Sequence, residues 1–142
     1  MIGKRKAFWV FLALVAFGVG SCKKKTVVNL ADQRKKELVA VWGLASVKND
    51  NVDVTWQFTD FELMLNADLT FITVSGGNAW PVTGTFILNE KDINLLTRSD
   101  GVEVNIDDIS SSDLKLSFQV NNINGGRTEG ITGNFTFSLL KQ

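Results

Sequence analysis

Apolar and polar residues alternate strictly along much of the chain from Phe61 onward. In the segment LKLSFQV, four apolar residues at alternate positions are separated by polar ones, and ITGNFTFSLL from Ile131 repeats the pattern. A period of two is typical of antiparallel strands with one buried and one solvent-facing side. The pattern predicts these inward positions: Leu63, Leu65, Phe71, Trp80, Phe86, Leu88, Leu95, Val104, Ile106, Leu116, Phe118, Val120, Phe135, Phe137 and Leu139.

Short polar or glycine-containing segments separate the alternating runs, as expected for hairpin turns. The predicted strands, two of which could form one bent strand, are residues 38–47, 52–59, 60–66, 69–75, 80–88, 92–98, 102–109, 113–122 and 131–141. Strands joined by short turns favour an all-β fold with an antiparallel up-and-down meander. We predict that about eight strands close into a small barrel, because closure removes exposed strand edges.

The first 22 residues follow a different pattern. A basic start, Lys4 to Lys6, precedes an apolar run from Ala7 to Val19, and small residues follow. This is the layout of a secretory signal peptide. Residues 7–20 as a helix would span about 21 Å, which is shorter than the hydrocarbon core of about 30 Å. The run therefore predicts export rather than a transmembrane helix.

The end of this run, Val19-Gly20-Ser21-Cys22, resembles the bacterial lipobox. In that family the cysteine thiol receives a diacylglyceryl group and a peptidase cuts before it, here between Ser21 and Cys22. The resemblance implies a signal peptide over residues 1–21 and a lipid anchor on Cys22 that holds the protein to the outer membrane. An ordinary signal peptide with a chance cysteine is the alternative.

The residues after Cys22 bear on the side of the membrane. Lys23, Lys24 and Lys25 follow directly, whereas acidic residues there resemble the surface-export signal of Bacteroidota-type lipoproteins. We therefore expect the periplasmic face, with the cell surface as the alternative. Residues 22–37 are predicted to be a tether that precedes a barrel domain over residues 38–142. Asn29 can cap a short helix through Glu37 with Leu30 and Leu38 on one side, or the tether is flexible.

Charge and residue types limit the chemistry of the domain. Of fifteen basic residues, nine precede Leu38, whereas thirteen of fifteen acidic residues follow, so the domain carries a net charge of −7. Such a surface repels nucleic-acid backbones. The domain has no histidine, cysteine or tyrosine, which excludes Ser-His-Asp, Cys-His and histidine-zinc sites. We expect no enzyme, cofactor or metal site, and interpret the oxygen-rich NDNVD as a polar turn.

The start of the predicted barrel, LVAVWGLASV, is similar to the first strand of lipocalin-like proteins, with Ala40-Val41-Trp42 in place of Gly-x-Trp. DFELMLNADLTF, GGNAWPVTGTF, LTRSDGVEVNI and GGRTEGITGNFTFSLLK resemble a family of small lipocalin-like lipoprotein domains of Bacteroidota, whose function is unknown. The resemblance covers about residues 38–141. It implies a lipocalin-like barrel, and says more about fold than about activity.

The aromatic residues leave two functions open. Trp42, Trp56, Trp80 and Phe86 are the candidates to line a cavity for a small apolar ligand. An eight-stranded barrel is just wide enough for side chains to fill it or for one small ligand. Because the inward positions are many and bulky, we favour a filled, non-catalytic barrel that acts as a structural or protein-interaction module beside an envelope partner. A carrier of a small apolar ligand is the alternative.

Overall fold

The computed structural model describes residues 29–121 and 132–142. Within them the chain forms one α-helix, nine strands and one single-turn 3₁₀ helix at Thr55–Phe58. The helix and strands are α1 (Leu30–Leu38), β1 (Ala40–Asn49), β2 (Val52–Asp53), β3 (Glu62–Leu65), β4 (Thr70–Val74), β5 (Thr83–Leu88), β6 (Leu95–Arg98), β7 (Glu103–Ile109), β8 (Asp113–Val120) and β9 (Gly133–Lys141).

Eight of the strands form a closed antiparallel barrel. From β3 to β9 each strand pairs with the next, β1 pairs with β3, and β1 also pairs with β9, which closes the sheet. The predicted all-β up-and-down barrel is therefore confirmed. The ninth strand, β2, is a two-residue extension that folds back on the end of β1, with Lys48 opposite Asp53.

The core consists of the inward faces of the barrel strands. Most predicted inward positions are buried, although Val120 is half-buried. In β6 the inward and outward positions are shifted by one residue relative to the prediction. Leu96 and Arg98 point inward there, whereas Leu95 is half-buried. A one-residue shift exchanges the two faces of a strand. The adjacent leucines fit either register, and the inward arginine is stabilised by contacts that form only in the folded barrel.

The predicted strand over residues 52–59 is wrong. The extended pairing ends at Asp53, whose Oδ1 accepts a hydrogen bond of 2.9 Å from the Thr55 backbone N–H, and the chain then enters the 3₁₀ helix. Such local side-chain hydrogen bonds compete with strand pairing. In a 3₁₀ helix, residues two apart point in different directions. Phe58 therefore enters the core, whereas Trp56 faces solvent with 75% of its surface exposed.

Helix α1 covers one end of the barrel. It begins with the predicted cap, since the Asn29 side chain accepts a hydrogen bond of 3.0 Å from the Ala31 N–H. The prediction that Leu30 and Leu38 share a face is wrong, because Leu30 is 62% exposed and Ala31 is buried with Leu38. Ala31 and Leu38 are seven residues apart, close to two full turns. The Trp42 Nε1–H donates to the Leu38 carbonyl at 2.9 Å and ties the helix to β1.

The outer surface of the barrel differs between its two sides. Glu62 is the one charged residue on β3, β4 and β5. Large apolar side chains point to solvent on β4 and β5, and one more does so just before β5 begins. We define the apolar wall as Ile72, Val74, Val82 and Ile87, which are exposed on neighbouring strands or adjoin them. The outward residues of β7, β8 and β9 are mostly polar or charged instead, as in Glu103, Asp107, Lys115, Gln119 and Asn134, with Leu140 near the end of β9 as an exposed apolar exception.

Candidate functional site

A groove on the outside of the barrel lies where the 3₁₀ helix and the start of β3 meet β1. We name it the Trp56 groove, and it encloses roughly 430 Å³. Its lining residues come from β1, from the segment between β2 and β3, from the first residue of β3 and from the C-terminus. They are Gly43, Leu44, Ala45, Thr55, Trp56, Thr59, Asp60, Phe61, Glu62 and Gln142.

Trp56 is held outward by its neighbours in the 3₁₀ helix. Phe58 is buried, with its ring centroid 5.1 Å from that of Phe137 and 5.9 Å from that of Phe135. The Thr59 hydroxyl donates to the Trp56 carbonyl at 3.1 Å, and the Thr55 hydroxyl accepts from the backbone N–H of β1 at Val47, at 3.0 Å. These contacts hold the backbone on both sides of Trp56, and the indole lines the groove with most of its surface exposed.

Two carboxylates lie in the same groove. Asp60 has a φ of +66°, a left-handed conformation that is uncommon outside glycine but several-fold enriched for Asp and Asn. Glu62 is exposed on β3 opposite Gly43 of β1. Within the described residues neither carboxylate forms a salt bridge. The groove therefore presents negative charge beside an exposed aromatic ring.

The C-terminal residue covers the floor of the groove. The Gln142 backbone N–H donates to the Val41 carbonyl at 2.9 Å, and its Nε2 donates to the Leu140 carbonyl at 3.2 Å. The side chain consequently lies over Gly43, where an added Cβ would collide with the amide of Gln142. Glycine at this position leaves room for the Gln142 side chain, which would otherwise have to move aside. Gln142 and Glu62 thus both line the groove beside Gly43.

The four residues predicted to line one internal cavity are not brought together. Trp42 is buried beside the end of α1, and Trp80 and Phe86 are buried in the core, whereas Trp56 lies outside the barrel. Around Trp80 the interior is occupied by rings: its centroid is 5.3 Å from that of Phe118 and 5.7 Å from that of Phe71. In the described part of the barrel, aromatic side chains therefore pack against one another around Trp80.

A buried cation closes the barrel at the end opposite α1. The guanidinium group of Arg98 contacts the rings of Trp80 and Phe118, with 5.4 Å from its Cζ to the latter centroid. Its Nη1 donates to the Ala79 carbonyl at 2.8 Å, and it forms an ion pair with Asp100. Burial raises the pKa of the Asp100 carboxyl group, but the hydrogen bonds and charge of Arg98 outweigh this, so the net pKa lies below its ordinary value.

The other acidic segments do not assemble into a site. Adjacent residues of a regular strand point to opposite faces, but the strand pairing shifts between Ile106 and Asp108, and Asp107 and Asp108 are both exposed. The NDNVD segment is the polar turn between β1 and β2, with Asp50 and Asn51 at φ +49° and +67°. No group of three or more acidic, histidine or cysteine residues that could hold a metal ion occurs in residues 29–121 and 132–142.

The predicted lipid-anchor residues cannot be located in the fold. Ser21 and Cys22, with the signal segment and the lysines after it, lie outside the described residues, as does the glycine-rich segment from Gly125 to Gly130. Of the helices in the part of the chain that the structure describes, none is long and apolar enough to cross a membrane.

The chain was compared with protein-family models, with curated proteins and with solved structures, and none of the three comparisons finds a match. The site is therefore interpreted from its own geometry and chemistry.

The residues around Trp56 carry no motif in the sequence that marks them as one site. Asp60 and Glu62 lie far from both Gly43 and Gln142 in the sequence, and the closed barrel brings the four residues together. One local signal was present: an aspartate two residues before a threonine, in DVT at Asp53 to Thr55, favours a turn over a continuing strand. That turn would have placed Trp56 outside the barrel and not beside Trp80.

Proposed function

We propose that this protein is a cell-envelope lipoprotein, held to the outer membrane by a lipid on Cys22, whose lipocalin-like barrel is a non-catalytic protein-interaction module. One observation carries the choice of module over carrier: the interior of the barrel is filled by aromatic side chains. The ring centroid of Phe137 is 5.0 Å from that of Phe61, 5.1 Å from that of Phe58 and 5.4 Å from that of Phe118. A filled barrel offers its outer surface for recognition.

The outer surface supports this proposal on one side of the barrel. The apolar wall and Trp56 expose large apolar side chains in a region whose strands carry one charge, whereas the opposite side is mostly polar. Val74 and Val82 are neighbours across the β4–β5 pairing, since the Thr73 N–H donates to the Val82 carbonyl, and exposed apolar patches are typical of interaction sites. Large aromatic side chains are also enriched at the centres of protein interfaces. The proposed partner is a protein of the cell envelope that contacts this side.

Site-specific photocrosslinking tests the proposal. A photoreactive amino acid replaces Ile87 of the apolar wall, and in a matched variant it replaces Ser117, an outward residue of the polar side. In intact cells, we expect a discrete crosslinked product from position 87 and none from position 117. Equal labelling at both positions, or a small apolar ligand recovered by organic extraction of the purified protein, would contradict the proposed module.

The anchor is tested separately with Cys22→Ser. The variant is expected to lose lipid and remain unprocessed by the lipoprotein peptidase, because a serine hydroxyl lacks the nucleophilic thiolate. Metabolic labelling with a radioactive fatty acid and gel mobility measure both effects. A Cys22→Ser protein that matures and stays membrane-bound like the wild type would show that Cys22 is not the anchor.

A further inference from the structure

We propose that the Trp56 groove binds a lysine- or arginine-bearing segment of the partner protein. This assignment rests on the proposed function, because it names the chemical groups through which the proposed partner protein would contact the barrel. Three features of the groove carry it: an exposed indole face, two carboxylates without a salt bridge, and the absence of a basic residue from the groove lining.

The indole of Trp56 offers an exposed aromatic face. Trp56 is the most exposed of the large apolar residues in the part of the chain that the structure describes, while Trp42 and Trp80 are buried. An indole is the best aromatic face for a lysine ammonium or an arginine guanidinium group. The fixed backbone on both sides of Trp56 reduces the ordering that binding requires.

The charge of the groove lining is negative. Asp60 and Glu62 line the groove beside the indole, and the lining contains neither lysine nor arginine. Asp60 is held in a left-handed conformation, the kind of backbone strain that clusters at binding sites. A bound cation would contact the ring face and a carboxylate together. The acidic surface of the whole domain would also attract a basic segment from a distance.

The strand pairing of β1 changes next to the groove. The pairing of β1 with β3 ends at Gly43, and its pairing with β2 begins at Lys48. Within the described residues, the stretch 44–46 therefore has a strand neighbour on the β9 side alone. An extended peptide can run along this gap and direct one cationic side chain toward Trp56, as in recognition by added strands.

A neutral sugar is the main competing occupant, because Trp56, the threonines and Gln142 also offer a stacking face with hydrogen-bonding groups. The two occupants differ in their dependence on charge. Recognition of a cation is weakened by salt and by neutralisation of Asp60 and Glu62, whereas stacking of a neutral ring on Trp56 is insensitive to salt. Charge dependence is therefore the property to measure.

The experiment is calorimetric titration of the full-length protein in mild detergent with the peptide acetyl-KTKTKT-amide. The control peptide is acetyl-ETETET-amide, and a neutral glucan oligosaccharide is the third probe. We expect saturable binding of the lysine peptide alone, weakened about fivefold by Trp56→Ala, the size of an exposed cation–π contact. The double variant Asp60→Asn with Glu62→Gln is expected to weaken binding about tenfold, since two ion-pair contacts are lost.

A matched double variant controls for overall charge. Glu103→Gln with Asp108→Asn removes the same two charges from exposed positions on β7, away from the groove, and should weaken binding by less than about twofold, because salt screens distant exposed charges. Asparagine tolerates the left-handed backbone of residue 60, so the Asp60 change preserves the local fold. Equal weakening by both double variants, no effect of Trp56→Ala, no binding of the lysine peptide, or preferential binding of the oligosaccharide would each overturn the assignment.

The failure of this inference is distinguishable from the failure of the proposed function. Crosslinking from Ile87 without any binding of the lysine peptide would refute the cationic occupant and leave the interaction module in place. A ligand extracted from the barrel interior, with no crosslink from Ile87, would refute the module itself.

Discussion

The guanidinium group of Arg98 lies over the indole ring of Trp80, with its Cζ 4.6 Å from the ring centroid. Arg98 is only 4% exposed, so its charge depends on protein groups for compensation. The Nε–H donates to Asp100 at 3.0 Å, and the Ala79 carbonyl accepts from Nη1. One side chain thus ties β6 to the loop before β5 and closes that end of the barrel.

Arg98→Met is expected to destabilise the protein strongly. The change keeps an apolar stem but leaves the Ala79 carbonyl and Asp100 without their partner, and breaking a buried ion pair typically costs about 3–5 kcal/mol. Asp100 is partly exposed, so we expect the lower part of that range. Urea unfolding measures it, with Lys115→Met on the exposed face of β8 as control. A similar, small loss in both variants would contradict the structural role of Arg98.

The ion pair should make stability depend on acid pH. Burial raises the pKa of Asp100, but the hydrogen bonds and charge of Arg98, with the Val102 N–H, lower the net pKa below the ordinary value of 3.8. The unfolded chain therefore takes up the proton first. The contribution of Asp100 is complete above the ordinary pKa and is lost as the pH falls through the folded-state value.

Asp100→Asn tests this linkage, because it removes the titrating group while retaining an oxygen that can accept from Arg98. The variant should be less stable than the wild type at pH 7, and the difference should shrink as the pH falls below about 4. Urea midpoints measured from pH 7 to pH 2.5 follow the effect. A difference that stays constant over this range would show that Asp100 does not contribute through its charge.

Trp42 and Trp56 provide a matched pair of substitutions. Trp42→Phe removes the hydrogen bond to the Leu38 carbonyl in a buried place, so we expect a loss of about 1–3 kcal/mol in the free energy of unfolding. Trp56→Phe, on the exposed surface, should change it by less than about 0.5 kcal/mol. Chemical denaturation compares the two.

Amide hydrogen exchange adds a local measurement for Trp42. Exchange in α1 should be faster in Trp42→Phe, because the bond to Leu38 joins the helix to β1. Unchanged protection of residues 31–38 would mean that the indole N–H does not hold the helix.

Gly84 has a steric role that substitution can reveal. It faces the core side of β5, and an added Cβ would lie 2.6 Å from Cζ of Phe71 and 2.7 Å from Oγ of Ser99. Gly84→Ala should therefore destabilise the protein by about 1–3 kcal/mol, as expected for overpacking. Thr85→Ala, on the exposed neighbour, is the control in thermal unfolding. An unchanged midpoint for Gly84→Ala would show that the Phe71 ring relaxes without cost.

The fold was predictable where the alternation of residues agrees with the tertiary structure. From Leu114 to Gln119 in β8 and from Asn134 to Leu139 in β9, inward positions are apolar and outward positions are polar, and the pairing of the two strands follows the prediction. The face that each residue of β6 presents was not predictable in this way, because Arg98 points inward as a result of its contacts with Trp80 and Asp100. Contacts between distant segments decided which residues of β6 point inward.

The candidate site was less predictable than the fold. The segment VDVTWQF alternates well enough to fit a strand, and the 3₁₀ helix forms because Asp53 and Thr55 make a local hydrogen bond. Trp56 consequently belongs to an outer groove whose other members include Glu62 and Gln142. The C-terminus lies near β3 because the barrel closes. The residue pattern predicts that the barrel closes, but it does not predict which residues meet when it does.

The position of α1 in the folded unit sets the length of chain between that unit and Cys22. Because the folded unit already begins at the Asn29 cap, only the six residues 23–28 separate it from Cys22. Fully extended, that link reaches about 25 Å. A barrel lipidated at Cys22 would explore a thin layer above the bilayer, where another protein held in the same layer is met at a high effective concentration. Recognition there could work with weak individual contacts.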